Sequence, residues 1–129
     1  MKLKTHLKIN SECSGEVVKL QEDYAEVLLV TNEKMLADEF GLVHGGFTFS
    51  AADFAAMAAI NEENVVLTAS ECRFLAPVVL GDEVIFEAKV IKKDMPKAVV
   101  NVVAKVKDKE VFQGEFKTYT LKEHILKKQ

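Results

Sequence analysis

Residues 43–61 read VHGGFTFSAADFAAMAAIN, and the character of this stretch decides the fold. From Phe47 to Ile60 it is almost wholly apolar, rich in Ala and free of Gly and Pro, so helix is its preferred state. Asp53 is its only charge. A surface helix of this length would carry a polar stripe, whereas one that is greasy on every side has to be surrounded by protein. The stretch predicts a central helix wrapped by sheet.

Gly45 and Gly46 open the N-terminus of that helix. They present backbone N–H groups, without Cβ obstruction, at the positive end of the helix dipole, where developing negative charge can be held. Asp53 needs its own explanation, because an ionised carboxylate in an apolar helix is costly unless solvated, paired or protonated. Gly46, Ser50, Asp53 and Met57 follow one another at helical spacing and share a face, along which a cleft is expected.

The rest of the composition narrows the class. A chain of 129 residues is one domain, residues 1–129, with room for a real core, and 49% hydrophobic residues point to apolar surface covered by another subunit. The net charge of −3 gives no attraction to a polyanion, so nucleic-acid binding is disfavoured. Cys13 and Cys72 are far apart and read as reduced thiols, and His6, His44 and His124 are scattered, so no metal site is expected. No apolar run reaches the roughly 18–20 residues of a membrane span, and MKLKTHLKIN is too polar for a signal peptide. The expectation is a soluble, cytoplasmic protein.

Outward from the helix, the pattern is β. Residues 1–10 alternate weakly and suit a fraying strand or a short helix equally. Residues 15–20 and 24–31 form a hairpin pattern around Gln21-Glu22-Asp23, and Asn32 is placed to cap a short helical turn. Four strands follow the helix, beginning at residues 65–75, where Thr68, Ser70, Cys72 and Phe74 alternate with Ala69, Glu71, Arg73 and Leu75. Val84, Phe86 and Ala88, then Val100, Val102 and Ala104, then Phe112 and Phe116 are the inward positions of the other three. A meander with short turns and no helical crossovers argues α+β. Residues 122–129 read as a frayed basic tail.

A lone helix enclosed by antiparallel sheet and introduced by His-Gly-Gly looks like the hotdog fold. More narrowly, HGGFTFSAAD resembles the signature of the PaaI-like, phenylacetate-pathway type of acyl-CoA thioesterase. In that family His-Gly-Gly opens the helix and an acidic residue follows nine positions after the His, here His44, Gly45, Gly46 and Asp53. RFLAPVVLGDEV, residues 73–84, resembles the family's strand-Pro-turn segment.

The resemblance implies hydrolysis of an acyl-CoA thioester, with coenzyme A as part of the substrate and no separate cofactor. It implies Asp53 as general base or nucleophile, the Gly45 N–H as oxyanion donor, and Thr68 near a hydroxyl position that holds water or substrate. His44, Gly46 and Ser50 would border the same site. Many members carry Asn about six positions before the His, where this chain has Asp38. An acid cannot donate amide N–H bonds, and it adds negative charge where an oxyanion develops. Arg73, the only Arg, together with Lys92, Lys93 and Lys97, are candidates for the phosphates of coenzyme A.

Geometry adds a constraint. Gly45 and Asp53 lie roughly 12 Å apart along one helix axis, so both cannot touch one carbonyl carbon. Two helices packed antiparallel across a two-fold axis would bring the Gly45 end of one to Asp53 of the other, which predicts a homodimer, or a dimer of dimers. Water activation and direct attack by Asp53 stay open. The competing readings are a hotdog protein that binds an acyl thioester without turnover, favoured by Asp38, and a dehydratase, for which His44 stands at the wrong end of the helix.

Overall fold

In the computed structural model, which describes residues 1–127, the chain runs α1 (Ser11–Ser14), β1 (Glu16–Gln21), β2 (Tyr24–Val30), a 3-10 turn (Glu33–Met35) and α2 (Gly45–Ile60). It continues with β3 (Val65–Phe74), β4 (Glu83–Asp94), β5 (Lys97–Val106), β6 (Lys109–Thr120) and a second 3-10 turn (Ile125–Lys127). The strands form one antiparallel sheet in the order β1-β2-β4-β5-β6-β3.

The sheet closes around α2, as expected of a helix with no polar stripe. Ala51, Ala52, Ala55, Ala56, Ala58 and Ala59 are fully buried, and the bulk between helix and sheet comes from the strands: Val27, Leu29, Phe86, Val100, Val102, Phe112 and Phe116. Small side chains on the rod let large ones from the sheet reach it at close packing. This is the hotdog fold. The alternation read in β4 and β5 holds, with Val84, Phe86, Ala88, Val100, Val102 and Ala104 inside.

Asn61 ends α2 in a left-handed conformation (φ 51°), its N–H bonded to the Met57 carbonyl. Its side chain reaches residues 1–10, which are neither strand nor helix but a strap: Oδ1 accepts from the Lys4 N–H at 2.7 Å and Nδ2 donates to the Lys2 carbonyl at 2.9 Å. The helix α1 was not expected. Its four residues are too short to show periodicity, and it stands on a local cap, Asn10 Oδ1 accepting from the Glu12 N–H.

Two expectations are corrected. The register of β3 shifts between Leu67 and Ala69, so Thr68 does not share a side with Ser70, Cys72 and Phe74 as its spacing suggests; Leu67, Ser70, Cys72 and Phe74 pair with Thr118, Phe116, Gly114 and Phe112. As an edge strand β3 is exposed over most of its length. Nor is the C-terminal segment a free tail. The Leu121 N–H bonds the Asn64 carbonyl, and His124 and Ile125 border a cavity beside α2. Of the expected tail, residues 128–129 lie outside the described residues. No helix among the described residues is long and apolar enough to cross a membrane.

Candidate active site

Asp53 stands midway along α2 on the side that faces the strap and the start of β3. It borders a cavity of about 390 Å³ shared with Thr5, His6, Met57, residues 63–67, His124 and Ile125. Its Oδ1 is buried and has no hydrogen-bond partner. Burial pushes its pKa up to about 6. A carboxylate partly stripped of water, with one oxygen unpaired, is a stronger base than a fully solvated one, and stays mostly ionised at neutral pH.

Gly45 is the first helical residue, after His44, whose backbone is extended (φ −62°, ψ 131°) and whose side chain makes no cap bond. The N–H groups of a first turn have no helical carbonyl to receive them. Phe74 lies over Gly45: a Cβ there would come to 3.4 Å from the ring. A Cβ on Gly46 would come to 3.0 Å from the His44 ring, so that ring folds back along the helix entrance. Gly45 borders a second, largely apolar cavity of about 380 Å³ with Leu42, Thr48, Phe74, Pro77 and Val111.

The single cleft expected along Gly46, Ser50, Asp53 and Met57 is not there. The helix α1 docks on that face, with Ser14 Oγ 2.6 Å from Ser50 Oγ, so the cavity begins only at Asp53 and continues to Met57. Sequence spacing showed the face but not the short helix that covers half of it. Of the phenylalanines, Phe49 packs on Phe116 in the core and Phe54 packs on His6.

Asp38 is exposed, and its Oδ1 accepts from the Phe40 N–H at 2.9 Å and the Leu42 N–H at 3.2 Å. The residue ties its own loop, a duty an Asn oxygen performs equally. Thr68 Oγ1 donates to the Lys117 carbonyl at 3.0 Å and borders a separate groove of about 430 Å³ with Lys92, Lys97 and Lys117. Within one protomer the bulge keeps it out of the Asp53 cavity. Arg73 is exposed on β3, and Lys93 pairs with Asp23 at 3.0 Å.

Sequence reading set the histidines aside as scattered, yet His6 and His124 both border the Asp53 cavity. Nothing local signals this, because the strap and the C-terminal segment meet α2 only in the folded chain. Among the described residues no group of three or more His, Cys, Asp or Glu side chains could hold a metal ion.

The profile of the thioesterase superfamily matches residues 40–112. A methylthioribose-1-phosphate isomerase of Aquifex aeolicus is 52% identical over 121 residues, which are 94% of this chain and 26% of that protein. Transcription factor FapR of Thermoanaerobacter sp. (strain X514) is 31% identical over 92% of this chain and 60% of its own. The chain thus spans about a quarter of the first relative and three fifths of the second. The crystal structure of the uncharacterized protein PH1136 from Pyrococcus horikoshii superposes with a TM-score of 0.96 at 42% identity, covering 98% of this chain and 97% of that one.

Proposed function

The chain belongs to the thioesterase superfamily and has the hotdog fold, and on that premise we propose that it is of the PaaI-like kind and hydrolyses an acyl-CoA thioester in a site shared by two copies of the chain. The observation that carries this reading is the Asp53 carboxyl, with Oδ1 buried and unpartnered in an open-mouthed cavity. A group held so at the centre of the fold is an expense without a use, and a base is the use that fits its raised pKa.

In this mechanism Asp53 takes a proton from water as the water oxygen attacks the thioester carbonyl carbon. The Gly45 N–H of the other copy holds the oxyanion. Collapse breaks the carbon–sulfur bond, and the thiolate leaves as coenzyme A, taking the proton that Asp53 removed from water, so that Asp53 is again a carboxylate. A thiolate departs easily, so a base and an oxyanion donor suffice.

The directions of α2 and β3 favour the two-copy arrangement. Gly45 lies under Phe74, at the end of β3, while the Asp53 cavity is bordered by Val65, Val66 and Leu67, at its start. An open edge strand pairing antiparallel with its own copy would lay the Phe74 end of one chain beside the Leu67 end of the other. Gly45 would then approach Asp53 across the two-fold axis. Arg73, exposed on that same strand, is the cation proposed to meet a phosphate of coenzyme A.

Hydrolysis of short, long and aryl acyl-CoAs by wild type and by Asp53→Asn tests the proposal; activity that survives the substitution would remove Asp53 from its role. A second reading, ligand binding without turnover, is favoured by the relative named as a transcription factor and by Asp38. Saturable acyl-CoA binding with no hydrolysis of any thioester would establish it.

A further inference from the structure

The Asp53 cavity has one wall that the mechanism above leaves without a task, the strap of residues 1–10. Asn61 pins the strap at both Lys2 and Lys4, and Thr5 is buried. His6 follows with a left-handed backbone (φ 56°), a conformation that costs a residue other than glycine roughly 1 kcal/mol or more and persists where the surroundings impose it. His6 Nδ1 lies 2.7 Å from Thr5 Oγ1, the ring packs against Phe54 at 6.2 Å, and the residue borders the cavity that holds Asp53. His6 also borders a second cavity with Leu3, Leu7 and Phe54, so it stands between the two, and with Nδ1 engaged Nε2 is the ring nitrogen left to bond a group there.

We infer that His6 is a working residue of the Asp53 site, presenting Nε2 to the water or thioester on which Asp53 acts. The inference rests on the hydrolase reading of this site. It answers the departure at Asp38, whose Oδ1 is engaged in its own loop and which has no N–H to offer. Burial holds the His6 pKa below its ordinary value, so the ring is neutral near pH 7. With the Thr5 hydroxyl taken as donor to Nδ1, the ring proton is left on Nε2 as a donor. The other titratable groups that border the Asp53 cavity are Asp53 itself from α2, Glu63 from the turn after it and His124 from the C-terminal segment, and in the second cavity that His6 borders they are Glu16 and Lys19 from β1.

The test uses the full chain and has two arms. In the first, the His6 ring is titrated by NMR in wild type, Asp53→Asn and Glu63→Gln. The inference expects an Nε2–H tautomer and a His6 pKa that falls by about half a unit or more when Asp53 loses its charge, and by less when Glu63 does. In the second, His6→Asn keeps tolerance of the left-handed backbone and a polar atom near Thr5 but has nothing where Nε2 stood, whereas His6→Gln restores an amide nitrogen there. His6→Asn should lower kcat/KM about tenfold or more, and His6→Gln should recover most of it. A merely structural role would leave His6→Gln no better than His6→Asn, since glutamine tolerates the left-handed backbone less well, and would leave the His6 titration indifferent to Asp53→Asn.

A His6 titration indifferent to Asp53→Asn, or a His6→Asn variant as fast as wild type, overturns the inference. Should wild type hydrolyse no thioester, the hydrolase reading falls, and the titration still decides whether His6 and Asp53 form one site.

Discussion

Gly45 and Asp53 occupy the same helix, eight residues apart, and open into two different cavities of one protomer. Gly45 lies under Phe74 at the far end of β3, and Asp53 faces the start of that strand. A donor and a base so separated serve one carbonyl only if a second chain supplies one of them.

The donor is testable without disturbing the fold. Gly45 is the first residue of α2, where proline is well accommodated, and the extended backbone of His44 is what a following proline requires. Gly45→Pro removes the N–H and should lower kcat about 10²–10³-fold with the thermal midpoint nearly unchanged. Kinetics and a melting curve on the same preparation check this.

Activity should follow the ionisation of Asp53. Its pKa is raised to about 6 by burial, so kcat/KM should rise with pH through about 6 and then level off. A profile already flat from pH 5 upward would mean that a group other than Asp53 limits the reaction.

Stability should move the other way. The native state holds the Asp53 proton to higher pH than the unfolded chain, whose carboxyl titrates near the ordinary value of 3.8, so folding loses stability as pH rises through the interval from about 4 to about 6. Asp53→Asn should therefore be the more stable protein at pH 8, by on the order of 1 kcal/mol after screening by water at the cavity mouth, and should lose that advantage near pH 4. Denaturation of both proteins at the two pH values reads the difference.

Asn61 joins the end of α2 to the strap through two side-chain bonds while holding φ 51°. Asn61→Gly keeps the backbone conformation and loses the bonds, at about 1–3 kcal/mol. Asn61→Ala should cost roughly 1 kcal/mol more, because alanine resists the left-handed region. Urea titrations of the three proteins check the order.

The fold was legible where periodicity was unbroken. The Ala-rich stretch with no polar stripe predicted an enclosed helix, and the alternation from Val84 to Ala104 predicted the strands that enclose it. Legibility failed where one residue shifts a register or where distant segments meet. The bulge at Thr68 is invisible in a β-prone run, and it carries that hydroxyl to the Lys117 carbonyl. The Ser14–Ser50 contact, which closes half of the expected cleft, joins elements whose sequences give no hint of each other. Asp53 stood out because a lone charge in an apolar helix demands a reason, whereas His6, among the lysines of a polar N-terminus, demanded none.

The shared site is tested most directly by mixing two inactive proteins. Asp53→Asn and Gly45→Pro are each expected to be nearly inactive, and subunit exchange between them makes mixed dimers in which one site pairs an intact Asp53 with an intact Gly45. Random mixing should restore about a quarter of wild-type activity, since half of the dimers are mixed and each carries one working site of two. Activity that stays at the level of the separate variants, with exchange verified by mass, would place donor and base in one chain and contradict the account.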